Sequence, residues 1–486
     1  MNTTTLTTTL TNLVDGEARP AASGDTLEKL SPVTGEVISL LPRSVAIDVQ
    51  AAVEAARRAQ PAWAARTAVE RGTILRRVAA LLERDAERVA SIVAAETGKS
   101  PREALGETGG AIEMGYFVAG EGRRLYGKVM PSAVPHRHAM ITRQPVGVAG
   151  LIIAANTPIA NVAWKVFPAL MCGNAAILKA SEDTPETANA FAELATEAGV
   201  PPGVLNVVHG LGEEAGVPLV ESRDVDLVSF TGSTAVGRYI ARVAGERLAK
   251  VCLELGGKNP LVVCDDADLE GAAKTAALSA FSNAGQRCAA GSRIIVFDAV
   301  YDEFRDLLVS STAALRVGPA DEDDFGPVIN ERQMHAMLRS VERAVADGAT
   351  LLHGGARIGD QGCFVAPTLI EAADDGAEIT RTELFGPIAT LHRVPDFDAA
   401  VEMANASPYG LTAALWTGSV HRGQEFIARI RSGVASVNGP TYGSEPHWPF
   451  GGLRDSGTGW REAGTEALDV YSELKTVHVT HDPARV

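Results

Sequence analysis

From Val146 onward, short apolar runs alternate with amphipathic stretches, and that alternation leaves few folds open. Residues 146–155, 175–178, 204–208 and 225–230 are compact and mostly apolar, and helical patterns such as 185–198 lie between them. Near-continuous apolar runs of strand length suit strands buried on both faces, which is the situation in a parallel sheet covered by crossover helices. The expected class is therefore α/β, with a doubly wound parallel sheet. In such sheets ligands lie at the carboxyl ends of the strands. That rule points to Asn156, Lys179, Gly210 and Thr231, each at or just after the end of a run. A second βα series begins near Asn259 and runs to about residue 465. Two alternating segments, 136–144 and 471–480, stand apart; as isolated strands they would expose unpaired edges, so they are expected to pair with each other and with a second subunit.

The chain has 486 residues, too many for one core, and two to four domains are expected. Its net charge of −16 argues against binding a phosphate backbone, which needs clustered Lys and Arg. The longest apolar run is far too short to span a membrane. Five cysteines, an odd number with no CxxC spacing, argue against a disulfide framework or a metal site and for a reducing, cytoplasmic setting. His136 and His138 could bind a metal, but no third ligand is suggested nearby, and a solvated strand face explains them. The Thr-rich start, Met1 to Leu13, lacks a basic and apolar leader and reads as a frayed tail rather than a signal peptide. Apolar Ile74, Val78, Leu81 and Leu82 mark an amphipathic helix, and the pattern continues through Val89, Ile92 and Val93 to a stop at Gly98.

Five stretches carry chemistry. Cys288 sits in Gly285-Gln-Arg-Cys-Ala-Ala-Gly291, on a turn after a helical pattern over 269–281. Alone it reads as a small buried hydrophobe or as a nucleophile. Phe230-Thr-Gly-Ser-Thr-Ala-Val-Gly237 follows a strand and opens a helix, so its free N–H groups and Ser233 suit a phosphate or serve as a plain helix cap. The usual GxGxxG fingerprint is absent, and Gly210-Leu-Gly212 is only a fragment of one. Lys179 and Glu182 could hold a ribose; a carboxylate there would repel a 2′-phosphate and favour NAD over NADP. Glu254, in apolar surroundings before Gly256-Gly257, is either a general base or a strand-end residue paired with a Lys. Glu383, beside Phe385, offers another acid or a simple loop turn.

In order and spacing these stretches resemble the aldehyde dehydrogenase superfamily, roughly from Asn12 to Val479. The residues that carry the resemblance include Asn156 and Pro158, Trp164-Lys165, Gly173-Asn174, Lys179 and Glu182. They continue through Phe230-Thr-Gly-Ser-Thr, Glu254-Leu-Gly-Gly-Lys, Gly285-Gln-x-Cys288, Glu383-Leu-Phe-Gly-Pro and Pro449-Phe-Gly-Gly-Leu. The resemblance implies an NAD-binding domain (1–125 and 145–257), an α/β catalytic domain (258–465) and a small β oligomerisation arm (126–144 and 466–486) that joins a homodimer or homotetramer. It implies that Cys288 attacks an aldehyde, that Asn156 and the Cys288 N–H hold the oxyanion, and that hydride leaves to the cofactor. Glu254 then activates water to hydrolyse the thioester, and Lys165 supports proton movement near the catalytic Asn. Lys179, Glu182, Gly212, Thr231, Gly232, Ser233, Gly256, Glu383 and Phe385 are the implied cofactor residues. Trp164, Arg287, Tyr442 and Phe450 are the implied substrate residues, with Ser444 and His447 at the tunnel entrance. No metal is implied.

Three departures stand out. Ala155 and Thr157 flank Asn156 where bulky residues are common, which suggests a wider or more polar tunnel. Ala235 replaces a common Glu. Arg287 directly precedes the nucleophile, as in some relatives that use aldehydes bearing a carboxylate, so a semialdehyde acid is the expected substrate, against a neutral aldehyde with Arg287 turned into a local ion pair. Thioester resolution by coenzyme A is the rival to hydrolysis, and Glu254 argues for water.

Overall fold

The computed structural model describes residues 7–372 and 374–485. Its first large sheet has seven strands, in the order 250–254, 227–231, 148–152, 175–179, 205–208, 12–14 and 17–19. The first five run parallel, and the last two form an antiparallel edge hairpin. The order reverses at strand Val148–Ile152: the chain moves outward through 175–179 and 205–208, then returns to its other side at 227–231. The crevice at such a reversal lies outside the carboxyl ends of 148–152 and 227–231, and it is where a doubly wound sheet takes its ligand. All five parallel strands are almost wholly buried, which is why the sequence showed runs rather than alternation.

The second large sheet also has seven strands, in the order 350–353, 368–371, 388–394, 293–297, 260–263, 412–416 and 434–437. All neighbours are parallel except the edge pair 350–353 and 368–371. Here the chemistry-bearing residues precede their strands: Cys288 lies ahead of Arg293–Phe297 and Glu383 ahead of Ile388–Val394. The carboxyl ends of the first sheet thus meet the amino ends of the second.

Segments 137–145 and 472–480 pair antiparallel along nine residues, and Lys128–Met130 adds a third strand. Ala463, Leu468, Val470 and Tyr471 are buried in the same core as helix Pro158–Met171. The stretch just before the arm strand therefore packs as part of the first unit, because its apolar side chains have no other core to enter. The frayed-tail reading needs correction beyond residue 6, and residues 1–6 lie outside the described residues. Thr8–Thr9 pairs with strand Val37–Pro42, Leu10 is buried, and Asn12 accepts from the His209 N–H at 2.9 Å and donates to Ser44 at 2.8 Å. Long-range pairing anchors what composition alone marked as free. No helix among the described residues is long and apolar enough to cross a membrane.

Helix α1, Pro101–Gly120, borders the crevice and begins at Ser100, whose hydroxyl accepts from the Glu103 N–H. It carries glycines in its interior at 106, 109, 110 and 115. At Gly109 a Cβ would meet nothing within 4 Å. Glycine in a helix interior costs about 0.5–1 kcal/mol relative to alanine. Gly109→Ala is therefore expected to raise stability by about that amount, read as a higher guanidinium unfolding midpoint at unchanged slope; a lower midpoint would contradict the open space seen there.

Candidate active site

A cavity of about 740 Å3 opens where the two sheets meet. Asn156, Trp164, Thr231, Gly232, Ser233, Glu254, Gly256, Arg287, Cys288, Glu383, Phe385, Tyr442 and Phe450 all line it. Thirteen residues singled out from sequence are thus brought to one space from stretches spread over almost 300 positions. Lys165, Lys179, Glu182 and Gly212 are not on its walls. Lys179 ends strand Ala175–Lys179 and holds Glu182 at 3.2 Å, while Gly212 opens the turn after strand Leu205–Val208. They lie at carboxyl ends further along the same sheet. Ser444 lines the cavity mouth; His447 does not, and faces Glu445 at 3.7 Å.

The nucleophile turn is built on unusual backbone. Helix Leu269–Phe281 ends, and Asn283, Ala284 and Gly285 then follow with φ of 55°, 53° and 65°. Left-handed conformation at two non-glycine residues stores strain that surrounding contacts must hold. Gln286 supplies one such contact, accepting the Ile329 N–H at 2.9 Å. Asn259 supplies another, donating to the carbonyls of Cys288 at 2.7 Å and Ala290 at 2.9 Å. Gly285 is needed because a Cβ there would strike the Gly386 carbonyl, and Gly257 because one would lie 2.6 Å from the Cys288 carbonyl.

Cys288 is partly exposed to the cavity. The Ala289 N–H and Arg287 pull its pKa down, but burial, then the Glu383 and Glu254 carboxylates, push the thiol up to about 12. Burial is the largest cause, and a thiolate beside the two acids also meets repulsion. The Asn156 side-chain amide donates to the Gln286 carbonyl at 2.8 Å, which fixes its orientation beside the thiol turn. Its second N–H is available to an oxyanion.

Glu254 ends strand Lys250–Glu254, is only 5% exposed, and among the described residues has no hydrogen-bond or ion-pair partner for either carboxylate oxygen, so pairing with a Lys does not explain it. Burial, and next the neighbouring Glu462, raise its pKa well above the usual carboxylate range, against the pull of Lys165 and Arg461. Glu462 escaped the sequence reading. It is ion-paired to the wholly buried Lys165, and both groups bond Ser229, at 3.1 Å and 2.9 Å. Lys165 thus acts on the Glu254 side of the site, whereas the Asn156 carbonyl is held by Lys99 at 2.6 Å. Asn161 and Gln333 on the cavity wall also went unseen, since a polar residue in an amphipathic helix carries no local sign of facing a cavity.

Arg287 lines the cavity and makes no ion pair among the described residues, though its charge bears on Glu103. Its guanidinium lies 5.1 Å from the Tyr442 ring centroid, and its Nε is buried without a partner. Trp164 and Phe450, 5.5 Å apart and edge to face, form an apolar wall nearby.

A nicotinamide dinucleotide fits the donor set at the opposite side. Thr231 Oγ1 is buried with no partner among the described residues, and Gly232 and Ser233 open helix Thr234–Glu246. Ser233 also caps that helix through the Val236 N–H, so its two readings coexist. A Cβ at Gly256 would overlap the Glu383 carboxylate, so the glycine leaves that acid bare toward the cavity. Burial pushes Glu383 up to about 7, against the Gly257 N–H and Lys258. A thiol, an amide donor and an unpartnered acid at the mouth of a doubly wound sheet are groups suited to an enzyme that forms a covalent intermediate beside a dinucleotide.

The comparisons with known proteins agree. The chain belongs to the aldehyde dehydrogenase family, whose profile, described as "Aldehyde dehydrogenase family", matches residues 19–477. It is 38% identical over 471 residues to a mitochondrial aldehyde dehydrogenase of Leishmania tarentolae, covering 96% of this chain and 94% of that one. It is 38% identical over 473 residues to an alpha-ketoglutarate semialdehyde dehydrogenase of Haloferax volcanii, covering 96% and 98%. Among solved structures, an NAD-dependent aldehyde dehydrogenase from Sinorhizobium meliloti superimposes with a TM-score of 0.95 at 38% identity, covering 98% of this chain and 95% of that chain.

Proposed function

We propose that this enzyme oxidises a carboxylate-bearing aldehyde to the corresponding acid with NAD, through a thiohemiacetal and a thioester on Cys288 that water resolves. In this reading the Cys288 thiolate adds to the carbonyl carbon, and the free Asn156 N–H stabilises the oxyanion. Thr231, Ser233 and Glu383 hold the nicotinamide half of the cofactor, which when bound supplies a hydride acceptor. Glu254 takes the proton from the attacking water, and the thiolate leaves as the acid forms. The Glu462–Lys165 pair sits where it can pass that proton on. Glu182, just beyond the carboxyl end of strand Ala175–Lys179, favours NAD by repelling a 2′-phosphate. The three-stranded arm, with exposed Val129, Leu474 and Val479, is the proposed subunit contact.

The observation that carries the substrate class is Arg287: a cavity-lining guanidinium, next in the chain to Cys288, that makes no ion pair among the described residues although its charge bears on Glu103. A charge-assisted bond to a carboxylate is worth about 1.5–3 kcal/mol. The name of the Haloferax relative is in keeping with such a substrate. Arg287→Ala is expected to lower kcat/KM for succinic semialdehyde by about 10–100-fold while changing that for butanal by less than about threefold. Equal losses on the two substrates would defeat the assignment.

A further inference from the structure

Three charged side chains on and just ahead of helix α1 reach into the floor of the cavity: Lys99, Glu103 and Glu107. They are spaced four residues apart, and each ends on a different part of the reacting machinery. Lys99 donates to the Asn156 carbonyl at 2.6 Å and is ion-paired to Glu107. Both side chains are nearly inaccessible, at 6% and 7% exposure, so the pair is well shielded from solvent screening. Glu107 also accepts the N–H groups of Ile159 at 3.0 Å and Ala160 at 3.4 Å. Those are unpaired donors in the first turn of helix Pro158–Met171, which starts two residues after Asn156. Asn156 is therefore gripped from both sides.

Glu103 reaches the other reacting loop. Its Oε1 accepts the N–H of Asn283, the first left-handed residue of the nucleophile turn, at 3.2 Å. The Asn283 side chain then donates to the carbonyls of Asn156 at 3.3 Å and Gln286 at 3.2 Å. One helix edge thus braces the amide donor and the thiol turn against each other.

We infer that Lys99, Glu103 and Glu107 are positioning residues that set the distance between the Asn156 amide and Cys288, so that they govern oxyanion stabilisation rather than nucleotide binding. The inference rests on the reading of Asn156 and Cys288 as the reacting pair. A misplacement of about 1 Å in such a pair can cost about 100-fold in rate.

The test is a double-mutant cycle on the full-length enzyme, combining Lys99→Met with Asn156→Ala. Three readouts are followed: aldehyde-dependent NADH formation, release of 4-nitrophenol from 4-nitrophenyl acetate, and KM for NAD. Lys99→Met alone is expected to lower kcat for both reactions by about 10–100-fold and to leave KM for NAD within about twofold. In the Asn156→Ala background it should have no further effect, because the group it positions is gone. Additive losses, or an unchanged kcat in Lys99→Met, would overturn the inference while leaving the reacting pair intact. A harmless Asn156→Ala would remove the reading beneath it. Should Lys99→Met not fold, Glu103 decides: Glu103→Gln keeps an acceptor for the Asn283 N–H and should retain most activity, whereas Glu103→Ala should not, and equal behaviour of the two would refute the role.

Discussion

Replacing Cys288 with alanine should lower aldehyde-dependent NADH formation by about 10⁴–10⁶-fold, the scale seen when a covalent nucleophile is deleted. Nucleotide affinity should stay within about threefold, because Thr231, Ser233 and Glu383 do not depend on the thiol. Steady-state oxidation and NAD titration by fluorescence check the two halves. The wild-type enzyme carries a companion signature. Burial and two neighbouring acids hold the thiol neutral until about pH 12. Below that value each unit of pH multiplies the thiolate fraction about tenfold, so alkylation of Cys288 by iodoacetamide should accelerate steadily from pH 6 to pH 9. A plateau below pH 7 would mean that the thiol is activated, contrary to its surroundings.

Glu254→Gln should have the next largest effect and a different form. The amide has nearly the same shape but cannot accept the proton of water, and loss of a general base costs about 10²–10⁴-fold. The first turnover should proceed, yielding a burst of one NADH per active site, and later turnovers should slow by that factor. In the unchanged enzyme the pKa of Glu254 is raised, chiefly by burial and then by Glu462. It therefore takes up its proton at a higher pH than an ordinary carboxylate, and deacylation should speed up as pH rises. A burst-free time course with full steady-state activity would remove Glu254 from the reaction.

Much of this was legible in the residues. The parallel strands announced themselves because burial on both faces forbids polar alternation, and the carboxyl-end rule led to Asn156 and Thr231. Cys288, Glu254 and Glu383 each sit beside glycines whose absent Cβ atoms admit a neighbouring chain, a local signal that tertiary packing later explains. The braces were not legible. Lys99, Glu103, Glu107 and Glu462 lie in helical or Gly-rich surroundings where charged residues are ordinarily solvated, and only the meeting of two sheets buries them. The same holds for the Cys288 shift, which comes first from burial and then from Glu383 and Glu254, 95 and 34 positions away. The Thr-rich start misled for the converse reason: Thr8 and Thr9 are held by a partner strand some 30 residues on.

The central claim is that substrate carbon becomes bonded to the Cys288 sulfur and is released by water acting through Glu254. Intact-mass and peptide spectrometry of the Glu254→Gln enzyme, quenched in acid after mixing with NAD and succinic semialdehyde, tests it most directly. The account predicts a single added acyl group, located on the peptide that contains Cys288 and sensitive to hydroxylamine. Stoichiometric NADH with no acyl adduct, or an adduct on any other residue, would contradict it.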